Sequence, residues 1–255
     1  MRRFIRRFLL SCAPILAALP CFAPRAHAAT TEPLTLEMTP SAPLPAPSLA
    51  DSVSSEVRDI LTALQKKHAS LATVSGEFKQ LLKSQQFLEE ITSEGVFYYK
   101  KPDSFRADYH PPTESINYVL GNTAYIYTPE IKQVDVYKLQ PDPNSVKNLH
   151  QLLLGFGLSV EELLKAYTVV KDEEKSDAKK IVLIFHERKY DENFPFEQIS
   201  ISLNRESLLP TNLVLTGKNE DITYIDVKKL ELNPELRASL FEPKFPKDVE
   251  IVEQN

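Results

Sequence analysis

GVFYYKKPDSFRADYHPPTESINYVLGNTAYIYTP, residues 95–129, is the stretch of sequence that decides the fold. Aromatic side chains recur along it, a proline ends a pair of lysines, and Gly121-Asn122 separates two apolar runs. Short apolar runs joined by turn residues predict antiparallel strands, with a hairpin at Gly121-Asn122 and a tight corner at Lys101-Pro102-Asp103. So many aromatic rings are enough to line a cavity as well as to fill a core. The stretch therefore predicts a curved sheet that can hold an apolar ligand.

The hydrophobic pattern extends this sheet in both directions. Residues 52–71 repeat apolar side chains at helical spacing and predict an amphipathic helix before the sheet. Residues 141–144 interrupt the strands and precede two short helices, the second of which opens with the capping-box pair Ser159 and Glu162. Consecutive strands without βαβ units predict a strongly curved antiparallel sheet or an open barrel, covered by helices. The pattern places strands at about 73–83, 87–100, 104–110, 115–120, 124–128, 132–138, 167–172, 180–187, 196–204, 211–217 and 221–232.

The first 28 residues have the layout of a secretory signal peptide. Four arginines precede the short apolar run Phe8–Leu19, and Ala26-His27-Ala28 gives the small-x-small pattern of a signal-peptidase site. An uncleaved membrane anchor is the alternative, but the run is shorter than the roughly 20 residues that a spanning helix needs. We therefore expect cleavage near Ala28 and export to the periplasm. Residues 29–50, rich in Pro and Ala, are predicted to be a disordered tether, and residues 51–255 to form one domain.

Charge and cysteine content exclude several classes of protein. The chain has 30 basic and 35 acidic residues, and removing the five arginines of the predicted signal leaves 25 basic residues and a net charge of −10. Nucleic acid and anionic membrane are not expected partners, because both bind to positively charged protein surfaces. Both cysteines, Cys12 and Cys21, lie within the signal, and their surroundings do not fit lipid modification. The mature chain is therefore expected to have no disulfide and no cysteine metal site.

No group of residues in the sequence has the spacing of a known catalytic or metal site. His68, His110, His150 and His186 stand apart from one another, without the HExxH spacing of a zinc enzyme. No GxSxG elbow and no glycine-rich phosphate loop is present in the sequence. We therefore expect no enzymatic activity, no cofactor and no metal, although triads assembled from distant residues leave an unrecognised site open. Nothing in the pattern requires more than a monomer.

Several segments resemble one known family. The matching pieces are Ser75-Gly76-Glu77-Phe78-Lys79-Gln80, the run from Gly95 to Arg106, and the run from Gly121 to Pro129. They occur in family order over about residues 55 to 140, and residues 241–249 resemble the family's final segment. In these pieces the chain is similar to LolA, the periplasmic carrier of outer-membrane lipoproteins.

The resemblance implies a fold and a task. The fold is α+β, mainly β: an incomplete antiparallel β-barrel of about 11 curved strands, with an N-terminal helix and a short helical pair forming a lid over an apolar concave face. The task is to accept acylated lipoproteins from an inner-membrane lipoprotein-releasing ABC transporter and to deliver them to an outer-membrane acceptor lipoprotein. A lipid- or lipoprotein-sensing regulatory module on the same fold is the alternative.

The candidate lipid-binding residues follow from strand parity and from the resemblance. Phe97 and Tyr99 share one face of a predicted strand, and Phe78 and Phe105 fall at family positions that face the cavity. These side chains can equally pack a dry core, but as a set they favour a cavity because so many large groups are hard to close-pack. The set is Phe78, Phe97, Tyr99, Phe105, Tyr118, Leu120, Tyr127, Leu153, Phe156, Ile199 and Ile201.

The predicted lid spans Val146 to Tyr167 and is hinged near Gly155 and Gly157. Lys101 falls where the resemblance implies an arginine that contacts the lid and assists hand-over of the cargo. Lysine keeps the charge but loses the planar, multi-donor fork. An ordinary surface lysine is the alternative interpretation.

Overall fold

The computed structural model describes residues 53–84, 89–139, 159–188 and 195–254. These ranges contain one twelve-stranded sheet and two α-helices, α1 (Ser55–His68) and α2 (Val160–Ala166). The strands of the first half are β1 (Thr73–Ser84), β2 (Glu89–Lys100), β3 (Ser104–Tyr109), β4 (Ser115–Leu120), β5 (Thr123–Thr128) and β6 (Gln133–Lys138). Those of the second half are β7 (Tyr167–Lys171), β8 (Lys180–Glu187), β9 (Phe196–Asn204), β10 (Pro210–Gly217), β11 (Ile222–Leu232) and β12 (Glu250–Gln254).

Both helices begin at residues that the sequence marks as caps. The Ser54 hydroxyl accepts a hydrogen bond from the Val57 amide at 3.2 Å and starts α1. The predicted capping box is confirmed at α2, where Ser159 Oγ accepts from the Glu162 amide and Glu162 Oε2 accepts from the Ser159 amide. The hydrogen bond from the Ser159 backbone lowers the pKa of the Glu162 carboxyl, so the box is held by a charged acceptor at neutral pH.

The strand order across the sheet is β12-β6-β5-β4-β3-β2-β1-β11-β10-β9-β8-β7. The mainly β fold and the curved, incomplete barrel are confirmed: the sheet is open, with β12 and β7 at its edges. The expected count of about 11 strands was one short. The missing strand is β12, which pairs in parallel with β6, beginning at Glu250 opposite Gln133.

Directly paired residues of antiparallel strands point to the same face of a sheet, so the register sorts the side chains into two faces. We call the face that carries Tyr99, Phe105 and Val119 the inner face, and the face that carries Arg106 and Tyr118 the outer face. The main apolar cluster joins inner-face residues of both halves of the sheet to side chains of α1 and α2. The two helices therefore pack against the inner face, and we refer to them together as the helical cover.

Two glycines on the inner face allow an aromatic ring to lie across a neighbouring strand. A Cβ added at Gly95 would stand 2.2 Å from the backbone oxygen of Asp108 and 2.8 Å from Cζ of Phe78. A Cβ added at Gly76 would stand 2.8 Å from the ring of Phe97. Strand glycines of this kind mark a close approach rather than a turn.

No helix among these described ranges is both long and apolar enough to span a bilayer. The same ranges contain no group of three or more His, Cys, Asp or Glu side chains placed to hold a metal ion.

Candidate functional site

Six of the predicted lipid-binding residues lie together on the inner face. Phe97 pairs with Ala107 and Tyr99 with Phe105, so these rings occupy neighbouring strands, and the Phe97 and Phe105 rings stack at 6.3 Å between centroids. Each of the six side chains is at most 4% exposed and belongs to the main apolar cluster. The structure brings together Phe78, Phe97, Tyr99, Phe105, Ile199 and Ile201.

The inner face continues without a break from the first half of the sheet to the second. β1 pairs with β11, which places Phe78 opposite Val227 and Gln80 opposite Ile225. From there the register runs through β10 and β9, where Leu215 lies opposite Ile199. The result is one continuous and largely apolar inner face that crosses most of the strands and packs against the helical cover.

Tyr118, Leu120 and Tyr127 do not belong to this surface, which corrects the expectation that they line the same cavity as Phe97. Tyr118 pairs with Arg106, and Leu120 pairs with Ser104, both on the outer face. Parity showed correctly that Tyr118 and Leu120 share a face, but it does not say which face is the inner one. Tyr118 is buried as well, and Ile116 and Leu120 beside it are half-buried, so the burial of β4 resembles that of a strand enclosed on both faces.

The C-terminal segment packs on the outer face of β3, β4 and β5. Phe245 packs against three tyrosine rings, with centroid distances of 6.3 Å to Tyr118, 6.2 Å to Tyr125 and 5.5 Å to Tyr127. Arg106 fixes the same segment, because its guanidinium donates to the backbone oxygen of Leu240 at 3.0 Å. Tyr127 and Tyr118 therefore anchor the C-terminal segment rather than face the inner surface.

Part of the predicted lid lies outside the described residues, including Leu153, Gly155, Phe156 and Gly157. Its described part is α2, which buries Val160, Leu163, Leu164 and Ala166.

A side chain at the end of β8 ties α2 to the sheet. Arg188 Nε donates to the backbone oxygens of Leu164 at 2.8 Å and Tyr167 at 3.2 Å. Cationic groups are favourable at a helix C-terminus, where unpaired carbonyls carry partial negative charge. The described end of the predicted lid is therefore packed onto the sheet, while its movement stays a prediction.

Lys101 contacts the segment that follows α1. Its Nζ donates to the backbone oxygen of Ala69 at 3.0 Å, and its amide donates to that of Ala72 at 2.9 Å. Both acceptors lie just beyond the C-terminus of α1, where a cation is favourable. Lys101 thus holds one end of the helical cover, and its part in hand-over of the cargo stays a prediction.

Polar contacts hold α1 at both ends. Near its start, Glu56 Oε1 pairs with Lys171 Nζ of β7 at 2.6 Å. Near its end, Lys67 Nζ donates to the backbone oxygen of Glu206 at 2.7 Å. These contacts and Lys101 are at the rim of the cover, while Val57 and Leu61 of α1 lie in the main apolar cluster. The cover is therefore fixed by polar groups at its ends and by apolar groups underneath.

The Tyr99 ring on the inner face is electrically neutral at ordinary pH. Burial, together with the nearby Asp103 carboxylate, raises the pKa of Tyr99 to about 12, and its hydroxyl donates to the Pro102 backbone oxygen at 3.1 Å. A neutral, apolar surface of this kind binds hydrocarbon without charge or covalent chemistry.

Sequence reasoning missed the packing role of Gly76 and Gly95 and the position of Phe245. Both glycines interrupt otherwise apolar strands, and this signal predicts a close approach when the neighbouring strand carries an aromatic residue. No sequence signal identifies the partner of Phe245, because that packing joins segments more than a hundred residues apart.

Comparison with known proteins assigns the chain to a family. The family model described as "Outer membrane lipoprotein carrier protein LolA" matches residues 69–244, which is 176 of the 255 residues. The chain belongs to the LolA family. This confirms the resemblance read from the sequence, and the LolA family is one of carriers rather than of enzymes.

Individual relatives within the LolA family are distant. The chain is 28% identical over 196 residues to an outer-membrane lipoprotein carrier protein of Legionella pneumophila (strain Paris), which covers 75% of this chain and 88% of that protein. It is 23% identical over 208 residues to one of Bordetella avium (strain 197N), covering 82% and 90%. Superposition on a LolA superfamily protein from Nitrosomonas europaea covers 73% of this chain and 97% of that one, with a TM-score of 0.41 and 10% identity. The family assignment depends on the match to the family model.

Proposed function

We propose that this protein carries lipoproteins by holding their acyl chains on the inner face, beneath the helical cover. Membership of the LolA family is the observation that carries the proposal. The continuous apolar surface supports it, because a hydrocarbon chain needs a neutral binding surface screened from water. Phe78, Phe97, Tyr99, Phe105, Ile199 and Ile201 are the proposed contacts.

The proposed route crosses the periplasm. The chain accepts a lipoprotein from an inner-membrane releasing ABC transporter and passes it to an acceptor at the outer membrane. The predicted signal peptide at residues 1–28 supports this location, since it directs export across the inner membrane.

Such a carrier must bind firmly and still release its cargo. Each buried methylene contributes roughly 0.8 kcal/mol, so about fifteen of them give roughly 12 kcal/mol, which corresponds to nanomolar binding. In the described structure Val57 and Leu61 of α1 already occupy part of the inner face. Exposing two such side chains costs about 3–6 kcal/mol, and this cost weakens cargo binding by the same amount. Movement of the cover is therefore proposed to set the affinity within a releasable range.

A removable staple tests this mechanism. The predicted mature chain has no native cysteine, so Glu56→Cys with Lys171→Cys gives two unique thiols that a cleavable bifunctional linker can join. The linker pins α1 to β7. We expect uptake of an acylated lipoprotein from inner-membrane vesicles to stop when the linker is present and to recover when it is cleaved.

The chain offers a matched control for the staple. Lys83 and Glu90 form an ion pair of similar length, 2.7 Å, but both belong to the β1–β2 pair and neither lies on a helix. A linker between cysteines at positions 83 and 90 should leave uptake unchanged. Normal uptake with the 56–171 staple in place would refute a movable α1.

Cargo recovered from the native periplasm separates the carrier from a sensing module. We expect mass spectrometry of the purified protein to detect triacylated proteins. Free phospholipid together with a stoichiometric signalling protein would instead support the regulatory alternative.

A further inference from the structure

Buried polar side chains are concentrated on one part of the inner face. Of those in the described ranges, all but Ser200 lie on the inner face of strands β1 to β6, whereas Ser200 lies on the other face of β9. They cluster beside the β1–β2, β3–β4 and β5–β6 connections, and we call this region the polar end. Its members are Gln80, Ser84, Ser93, Ser115, Asn117, Gln133 and Asp135.

The polar end lies directly beside the aromatic part of the inner face. Along one rung of the sheet, Phe97 pairs with Ala107, and Ala107 pairs with Asn117. Two strand spacings separate Phe97 from Asn117, a distance of about 10 Å. The next rung towards the aromatic side is wholly apolar, with Tyr99, Phe105 and Val119 in register. The inner face thus changes from apolar to polar within the width of a few residues.

Some side chains of the polar end form hydrogen bonds within the protein. Asp135 Oδ1 accepts from the side-chain amides of Gln133 and Gln254, each at 2.7 Å. Ser93 Oγ accepts from the Thr113 hydroxyl at 2.9 Å. These pairs form the periphery of the polar end and need no ligand.

Asn117, Ser115 and Ser84 are different, because each has a buried side-chain atom without a hydrogen-bond partner. Asn117 is fully buried, and neither its amide nitrogen nor its amide oxygen has a hydrogen-bond partner in the structure, and the same is true of Ser115 Oγ. Buried polar groups in folded proteins nearly always have a partner, and an unmet one is destabilising. Two residues on the same face of β4 therefore have three polar atoms without hydrogen-bond partners, on the surface proposed to receive acyl chains.

We propose that the polar end binds the carbonyl groups that join acyl chains to their head group. An ester carbonyl accepts a hydrogen bond from the Asn117 amide nitrogen or the Ser115 hydroxyl, while its hydrocarbon chain lies towards Phe97 and Phe105. The amide oxygen of Asn117 accepts from an N–H or O–H of the same head group. This inference rests on the proposed function, because the ligand reaches these buried atoms only by entering the inner face.

The test changes the protein and the ligand together. Asn117→Leu keeps the approximate shape and removes both polar atoms. The two probes are a peptide with a dipalmitoyl glyceryl cysteine and its dihexadecyl ether analogue, which lacks the ester carbonyls. We expect Asn117→Leu to weaken binding of the ester probe about tenfold, the effect of one good hydrogen bond to a buried group, and to leave the ether probe unchanged. Ser200→Ala is the control and should change neither affinity.

The outcomes are distinguishable. If Asn117→Leu changes the affinity for the ester probe and for the ether probe by the same factor, the inference is overturned. The three polar atoms would then be assigned to contacts with bound water. If Asn117→Leu does not fold, Ser115→Ala removes one unmet atom with little change in volume, and the same ester-specific loss is expected at about threefold. Binding of neither probe by the unmodified protein would refute the proposed function instead.

A third probe identifies the source of the carbonyl. Dipalmitoyl phosphatidylglycerol carries the same esters on a phospholipid. If Asn117→Leu weakens this lipid and the peptide alike, the polar end recognises acyl esters of either source. If only the peptide is weakened, the site is specific for lipoprotein.

Discussion

Gly95→Ala is expected to destabilise the protein although alanine is normally the better residue in a strand. The new Cβ would lie 2.2 Å from the Asp108 backbone oxygen, more than 1 Å inside ordinary contact, and 2.8 Å from Cζ of Phe78. The ring can move, but the oxygen belongs to the neighbouring strand and moves only if β2 and β3 separate. Overpacking of this kind costs about 1–3 kcal/mol, against a gain of about 0.5–1 kcal/mol from replacing a flexible glycine. Because the clash is with backbone, the cost lies at the upper end of its range, about 3 kcal/mol, and we expect a net loss of about 2 kcal/mol in the free energy of unfolding.

Urea unfolding followed by circular dichroism measures this loss, and Gly76→Ala is the matched control. Gly76 lies on the same face, but the atoms nearest to its added Cβ, at 2.8 and 2.9 Å, belong to the Phe97 side chain rather than to backbone. Its loss should be smaller by about 1 kcal/mol, since a side chain yields more easily than a strand. In the background of Phe78→Leu, Gly95→Ala should still be destabilising. Equal stability of the Gly95 variant and the unmodified protein would refute the steric argument.

Three further predictions concern single side chains. The unfolded chain loses the tyrosine proton near pH 10 and folded Tyr99 only near pH 12, so the free energy of unfolding should fall by about 3 kcal/mol as pH rises between these values. Tyr99→Phe should lose that part of the pH dependence in urea titrations. Phe245→Ala should lower the free energy of unfolding by about 2 kcal/mol and increase proteolysis of the C-terminal segment, because the ring packs on Tyr127. Resistance to proteolysis equal to that of the unmodified protein would contradict this packing. Lys101→Leu should cost about 0.5–1 kcal/mol through Ala69 while slowing hand-over in a vesicle assay; a hand-over defect that disappears at lower temperature would indicate a purely structural role.

The positions of β1 to β11 were predictable because each of these strands is marked by local chemistry. Alternation of buried and half-buried residues defines β1 and β3, and Gly121, at φ +56°, provides the hairpin turn that the sequence predicts. The second helix was equally visible, since the Ser159–Glu162 box is a local signal. The open, curved sheet followed from the number of consecutive strands without crossover helices.

The pairing of distant segments was not predictable from one sequence. β12 is short, carries charged residues and pairs with β6 across more than a hundred residues, so no local pattern reveals it. The packing of Phe245 on Tyr118 joins segments equally far apart in the sequence, so it could not be predicted either. Without that contact, nothing in the sequence shows that Tyr118 is buried on the outer face. Tyr118 was therefore assigned to the inner face. Asn117, in the middle of an apolar strand, is a visible exception, but its lack of a partner is a property of the folded chain alone.

The strand order also determines when the sheet can be completed. All pairings join strands adjacent in the sequence except two, β1 with β11 and β6 with β12. Each half can thus assemble early from local hairpins, whereas the outer strands of the first half, β1 and β6, find their partners only in the last 34 residues of the chain, from Ile222 onwards. Until then both strands present unpaired backbone groups, which are templates for aggregation. A chain synthesised from its N-terminus is therefore most vulnerable just before its C-terminal end emerges, and truncation between β6 and β11 prolongs that state indefinitely.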